Sequence, residues 1–395
     1  MRILVIKGHS QYGGTRLFAD HAAAAFARRG FAVGVLDLAA IVDAGGDAAA
    51  AILADAAAQP ADLVFSINIV GEYKDGAGRS LAAIHGAPHV VWHTDYVLTN
   101  QARLEGTPSS TALLVVDPTQ IEAIKSVYGA DRFDRLRFFP HPAVGEPAPD
   151  DADADAFAAA RPIPVLWSGG FQKPNAAPPW ADAPGPARGV FDDALDLALS
   201  VEWMPPLQAL ETVLAARGLD IADPGNRGAK LAAPVIDAEV RWTRRFEFLK
   251  AVARSGVPVH ICGANWEGQL YRFKNATYEG PVEMARMVEL MRRSRLVLNT
   301  NGNFGGGSHE RPFSASLAGA ATFSDFSRYY GQVFEDGRSM AMFRWKDLDA
   351  GMARLQALTS DPAACFAMAR EAKALTLRDH TWDRRVDLIL EAAGI

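Results

Sequence analysis

Short apolar runs alternate with helical patterns twice along this chain, and that alternation limits its fold more than any other feature. The first set of runs is Ile3–Ile6, Val33–Leu38, Leu63–Ile67, Val90–His93, Leu113–Val116 and Leu136–Phe139. Helical stretches such as Thr15–Arg29 and Pro118–Tyr128 lie between them. Strands separated by helices make a parallel sheet covered on both faces. The pattern restarts at Ile163–Trp167 and continues through Pro258–Cys262, Leu296–Asn299, Ala321–Ser324 and Met340–Phe343. A chain of 395 residues also exceeds what one core comfortably serves. The expected class is α/β, with two doubly wound Rossmann-like domains facing a central cleft.

The boundaries follow from composition. Residues 1–145 form the first domain, and 146–162, with DDADADA at Asp150–Ala156, read as an acidic, solvated linker. The second domain runs over 163–380, and a final helix over 381–395 closes the chain. An insert at 173–237 interrupts the second alternation. Its Pro-rich start should be irregular, and Val190–Gly218 should be helical with a break at Pro205-Pro206. A helix from about Asp237 to Ser255 leads back to the sheet. Loops this long in compact domains tend to carry function.

Composition excludes several classes. A net charge of −6 supplies no basic face for nucleic acid. Cys262 and Cys365 lie far apart in apolar surroundings, which argues against a disulfide or a zinc site. No metal-ligand spacing occurs elsewhere, so neither a metal nor another cofactor is expected. The opening MRILVIKGHS is too short an apolar run for a signal peptide and is broken by Lys7. No stretch has the length of a membrane span. A soluble, cytoplasmic protein is the expectation.

Ligands of parallel sheets bind beyond the carboxyl ends of the strands. There, Leu296–Asp325 reads as strand, glycine-rich loop, arginine, short helix and strand. Gly305, Gly306 and Gly307 let the backbone approach a ligand, and Pro312 suits a first helical turn with Arg311 at its mouth. Free helix N–H groups beside a guanidinium suit phosphate oxygens. Asn299 ends the preceding strand, and Gly169 and Gly170 follow another. Gly280 begins a turn with Pro281 that can meet a nucleotide base through backbone atoms, with Val282 next to it. In the first domain His9, Tyr12, Gly13 and Gly14 follow the first strand, without the dinucleotide fingerprint. His93 and Asp95 end the fourth strand. A histidine beside a carboxylate can act as a base or donate to a sugar hydroxyl, and it can equally cap the strand and its turn. Met284, Met287, Val288 and Met291 recur at helical spacing and read as core. Trp266 is expected to pack at a domain edge, with a stacking role as the alternative.

Five ordered motifs, ICGANW, YEGPVE, SRLVLN, RPFSASLAG and DHTWDRR, span Val257 to Leu390. In that order and spacing the chain resembles GT-B glycosyltransferases, in particular the group sharing the C-terminal domain of CgeB-like proteins. HTD after the fourth strand adds a looser match. The resemblance implies a nucleotide-diphosphate sugar donor on the C-terminal domain and a hydroxyl acceptor (glycan, lipid-linked sugar or protein) on the N-terminal one. The final helix would pack back on the N-terminal domain. Arg311 and the Gly305–Gly307 amides would stabilise the departing diphosphate without a metal. Asp95 or His9 would be the base, and His93 would orient the donor sugar. His380 and Arg384 of the last motif read as structural. Where the family pattern has Glu, this chain has Ser314, which can make only part of the expected ribose contact. Either Glu310 reaches in, or donor binding is altered, or the chain is a decayed nucleotide- or glycan-binding module. A nucleotide-sugar epimerase is a further alternative on the same architecture.

Overall fold

The computed structural model describes residues 1–68, 77–172, 177–302 and 304–395. The first four residues of the expected insert, 173–176, lie outside them, as does Asn303 of the glycine-rich loop. The chain divides into two compact units. The first comprises 1–144, 283–285 and 379–395, and the second 145–282 and 286–378.

The first unit is built on β1 (Arg2–Lys7), β2 (Ala32–Asp37), β3 (Leu63–Ile67), β4 (His89–His93), β5 (Ala112–Val115) and β6 (Arg135–Phe138). All pairings are parallel, in the order β2-β1-β3-β4-β5-β6. Every residue of β3, β4 and β5 is buried. Strands covered on both faces carry continuous apolar runs, which is why these were readable as strands. Helices at Leu38–Ala44 and Gly46–Ala58 fill a stretch where no element was expected. The last helix, Trp382–Ala393, belongs to this unit. Trp382 lies edge-on to Trp92 at 5.5 Å, while Asp383 and Asp387 pair with Arg28 and Arg29. His380 is buried, its Nδ1 meets Arg385 Nη2 at 2.9 Å, and its carbonyl accepts from the Ala143 amide.

The second unit has β7 (Ile163–Ser168), β8 (Val259–Cys262), β9 (Ala276–Gly280), β10 (Ser294–Asn299), β11 (Ala321–Asp325) and β12 (Ala341–Phe343). They form a parallel sheet in the order β12-β11-β10-β7-β8-β9. A stacked group of Phe248, Phe323 and Phe343 fills its core, with ring centroids 5.0–6.4 Å apart. The methionine positions 284, 287 and 291 are buried, as the helical spacing implied.

Three expectations need correction. β9 was not anticipated, because its residues are only half-buried or exposed and supply no apolar run. The acidic stretch is no bare linker. Asp153 caps a helix at Ala154–Ala160, Asp151 pairs with the buried Arg161 at 2.6 Å, and Asp150 pairs with Lys373. Trp266 is fully buried and donates its indole N–H to the Gly169 carbonyl at 2.9 Å, so it is core and not edge. Among the described residues, no helix is long and apolar enough to cross a membrane.

Candidate functional site

In the second sheet, β7 is flanked by β8 on one side and β10 on the other, so the strand order reverses between β7 and β10. A crevice opens beyond such a reversal, because the connections leave in opposite directions. Ser168 is the last residue of β7 and Asn299 the last of β10. The helix Glu310–Leu317 follows β10 and carries Arg311 in its first turn. Arg311 Nε donates to Ser168 Oγ at 2.9 Å and Nη1 donates to Asn299 Oδ1 at 2.7 Å. One guanidinium therefore ties together the two strand ends at the switch point. Arg311 has no carboxylate ion pair among the described residues, and none of their hydrogen bonds uses Nη2. A buried guanidinium with spare donors at a sheet's carboxyl edge is suited to an anionic ligand.

Further charge lies around it. Arg241, Arg244 and Arg245 sit on the helix Ala233–Ser255. Arg244 is spent on structure, donating to the carbonyls of Ala198, Val201 and Glu202. Arg241 and Arg245 each leave a buried Nε without a partner among the described residues. Burial, followed by the like charges of Arg311 and Arg241, pushes the Arg245 guanidinium down to about 9. The neighbouring carboxylate is Asp325, at the end of β11. It accepts from the Asn301 amide at 2.5 Å and the Trp345 indole at 3.2 Å, and burial raises its pKa.

His309 precedes the Arg311 helix. Its Nδ1 lies 2.5 Å from Glu310 Oε2 and 3.5 Å from the Arg311 amide. The shorter contact fixes a protonated Nδ1 donating to Glu310, so the longer one is not a cap bond. Burial lowers the His309 pKa, which fits a neutral ring. Glu310 is thus held by His309, and Ser314 has no exposed surface.

Packing and backbone hydrogen bonds shape the glycine positions. A Cβ on Gly305 would fall 1.9 Å from the Trp203 indole, so the missing side chain makes room for a tryptophan of the insert. Gly307 donates to the Phe304 carbonyl and accepts from Ser327 Oγ; Gly306 is half-buried. The Gly169 carbonyl accepts from both Trp167 and Trp266, and Gly170 packs on the Ala264 backbone. Gly280 has φ +88° and accepts from the Gly263 amide; Val282 is half-buried. A side chain at Gly305 would meet the Trp203 ring and one at Gly170 the Ala264 backbone, so close packing requires glycine at both. Of the residues expected to bind donor, Arg311 and Asn299 converge; Ser168, Arg241 and Arg245 join them unanticipated.

In the first unit, Asp95 is exposed just past β4, and its Oδ2 accepts from Asn68 Nδ2 at 3.0 Å. Asn68, with φ +55°, also holds Thr94 through its side-chain oxygen and amide. His9 and Tyr12 are exposed beyond β1. Gly13, at φ +70°, caps the helix Gly14–Arg28, and a Cβ there would lie 2.6 Å from Glu283 Oε2. A carboxylate facing this turn makes it a poor phosphate cradle. His93 is completely buried, neither ring nitrogen has a partner among the described residues, and burial lowers its pKa to about 3. β4 is covered on both faces, so the side chain expected to orient a sugar is buried in protein. An open cavity of about 1020 Å³ lies at the amino ends of β4 and β6, lined by Asp62, His89, Ser110 and Arg135 among others, away from these groups.

Residues 244–391 match the family model described as glycosyl transferase-like. Among solved structures, the chain is similar to an α-glucosyltransferase in complex with UDP and a 13-mer DNA containing a HMU base. The identity is 10%, the TM-score 0.56, and both chains are covered in full. It is also similar to the Anabaena protein HepE in complex with UDP-glucose, at 12% identity and TM-score 0.52, over 100% of this chain and 99% of that one. Against TarM the identity is 9% and the TM-score 0.45, over 84% of this chain and 55% of that one. No curated protein sequence matches. The two parallel six-stranded sheets and the first two likenesses establish the GT-B fold.

Proposed function

We propose that the chain is a glycosyltransferase that takes a sugar from a nucleoside-diphosphate donor held by the second unit and passes it to a hydroxyl acceptor. The observation that carries this reading is Arg311, whose guanidinium spans the ends of β7 and β10 with no carboxylate partner among the described residues. The glycosyl transferase-like match over 244–391 supports it, because that segment contains Arg311, Asn299 and Arg245.

Transfer at a glycosidic carbon passes through an oxocarbenium-like state while negative charge collects on the leaving diphosphate. Fixed cations aimed at that charge lower the barrier, since they need no reorganisation as the bond breaks. In this reading Arg311 supplies that stabilisation, and arginine, not a metal, neutralises the diphosphate. Asp95 is the base for the acceptor hydroxyl, with His9 as the other exposed candidate. The first unit is the acceptor side, and the acceptor is a glycan, a lipid-linked sugar or a protein.

One observation favours a second reading, a binding module without turnover. Ser314 replaces the carboxylate of the family pattern, and Glu310 is already engaged by His309. Incubating the protein with UDP-, GDP-, dTDP- and CDP-sugars in chelator, with pooled hydroxyl acceptors, separates the two. Release of one nucleoside diphosphate together with a glycosylated product supports the transferase. Tight donor binding with no release over days supports the module.

A further inference from the structure

Arg241 and Arg245 lie four residues apart, hence on one face of the helix Ala233–Ser255. The stem of Arg241 packs against the loop after β10: a Cβ on Gly302 would lie 3.2 Å from Arg241 Cγ. The guanidinium carbon of Arg245 is 6.0 Å from the ring of Trp167, the residue before Ser168 on β7. The two side chains therefore flank the same strand ends that Arg311 bridges. Arg244, between them in sequence, is consumed by three carbonyls of the insert, whereas the buried Nε of Arg241 and of Arg245 is unpartnered among the described residues. The carboxylate nearby, Asp325, already accepts from a backbone amide and an indole. Arg311 and Arg241 add like charge at Arg245, and Asp325 offsets it only in part, which leaves a positive excess that an anion of more than one charge would balance.

We propose that Arg241 and Arg245 are the second and third arms of an anion site centred on Arg311, and that this site is built to take two linked phosphates in preference to one. The inference rests on the donor reading above and deepens it. It assigns the choice of a diphosphate over a monophosphate to a helix that lies between the insert and β8, and it takes that task away from the glycine-rich loop. Placing a diphosphate there also relieves the like-charge crowding of Arg245.

Calorimetric titration with inorganic pyrophosphate and inorganic phosphate, on the full chain, tests this without knowledge of the base or sugar. The wild type should bind pyrophosphate at least about tenfold more tightly than phosphate. Arg241→Gln and Arg245→Gln should each weaken pyrophosphate by about tenfold and draw the ratio toward one, while Arg245→Lys, which keeps the charge but not the guanidinium fork, falls between wild type and Arg245→Gln. Arg244→Gln should loosen the insert but leave the ratio intact, which separates charge loss from helix damage. Pyrophosphate affinity within twofold of wild type in both Gln variants would overturn the inference and leave the donor reading standing. A wild type that binds neither pyrophosphate nor any nucleoside diphosphate would remove the donor reading itself.

Discussion

Arg311 holds two strand ends with Nε and Nη1, so it has a structural part besides the anion binding proposed for it. Truncation to Ala strands Ser168 Oγ and Asn299 Oδ1 in a buried setting, and unsatisfied buried groups cost about 1–3 kcal/mol. Urea unfolding of Arg311→Ala should show a loss of that order; an unchanged midpoint would mean the two bonds contribute nothing. His93 makes a different demand. Its folded value of about 3 lies below the ordinary 6.5, so between those pH values the unfolded chain takes up a proton that the folded chain refuses. Stability contributed by neutral His93 is complete above about pH 6.5 and falls by about 1.4 kcal/mol per unit as the pH drops toward 3. His93→Phe should fold at pH 7 and flatten the decline between pH 6.5 and 4.5; an identical decline in both proteins would contradict the assignment. Asp95 is exposed, so Asp95→Asn should leave stability and donor binding alone and cut transfer at least about a hundredfold. Normal turnover in that variant would move the base to His9. Arg311 was legible because Pro312 marks the start of the helix after the glycine-rich loop, and Asn299 because it ends an apolar run. Ser168 stands in the same relation to β7 and carried the same signal. Arg241 and Arg245 were not legible, because arginines on a helix resemble a solvated face until the fold shows what that face covers.

The glycine-rich loop shows how an element can be read from sequence while the packing that shapes it is not. Strand, loop, helix and strand over 294–325 all appear, yet Gly305 lacks a side chain because Trp203 lies against it. Trp203 joins the two helices Gly185–Ser200 and Pro206–Ala216 of the insert, and the adjacent Glu202 carboxylate accepts from the amides of Trp345 and Lys346. The insert is thereby fastened to the carboxyl edge of the second sheet. Gly305→Ala should cost about 1–3 kcal/mol, since the ring must move. The double variant with Trp203→Ala should cost less than the sum of the singles by at least about 1 kcal/mol. Strict additivity in thermal or urea melts would show that the two do not press on one another. Interior strands were plain from sequence because burial on both faces writes an unbroken apolar run. β9 lacks that run, and the acidic stretch hid a capped helix because Asp is common to linkers and to helix N-caps.

At the scale of the molecule, the two alternating series in the sequence correspond to two parallel six-stranded sheets, and the chain has the GT-B fold. The candidate functional side chains are few and lie in both units: Asp95 and His9 in the first, Arg311 with Asn299 and Ser168 in the second. The glycosyl transferase-like match covers 244–391 and leaves the first unit's strands without a family match, so the donor half of the account is the better supported. The measurement that bears most directly on it is calorimetric titration of the wild type and of Arg311→Ala with UDP, GDP, dTDP and CDP, with CMP alongside. The account predicts clear binding of at least one diphosphate by the wild type, weakened by about 1.5–3 kcal/mol in the variant, as for loss of a charge-assisted bond. Binding of none by the wild type, or equal affinity in the two proteins, would contradict it.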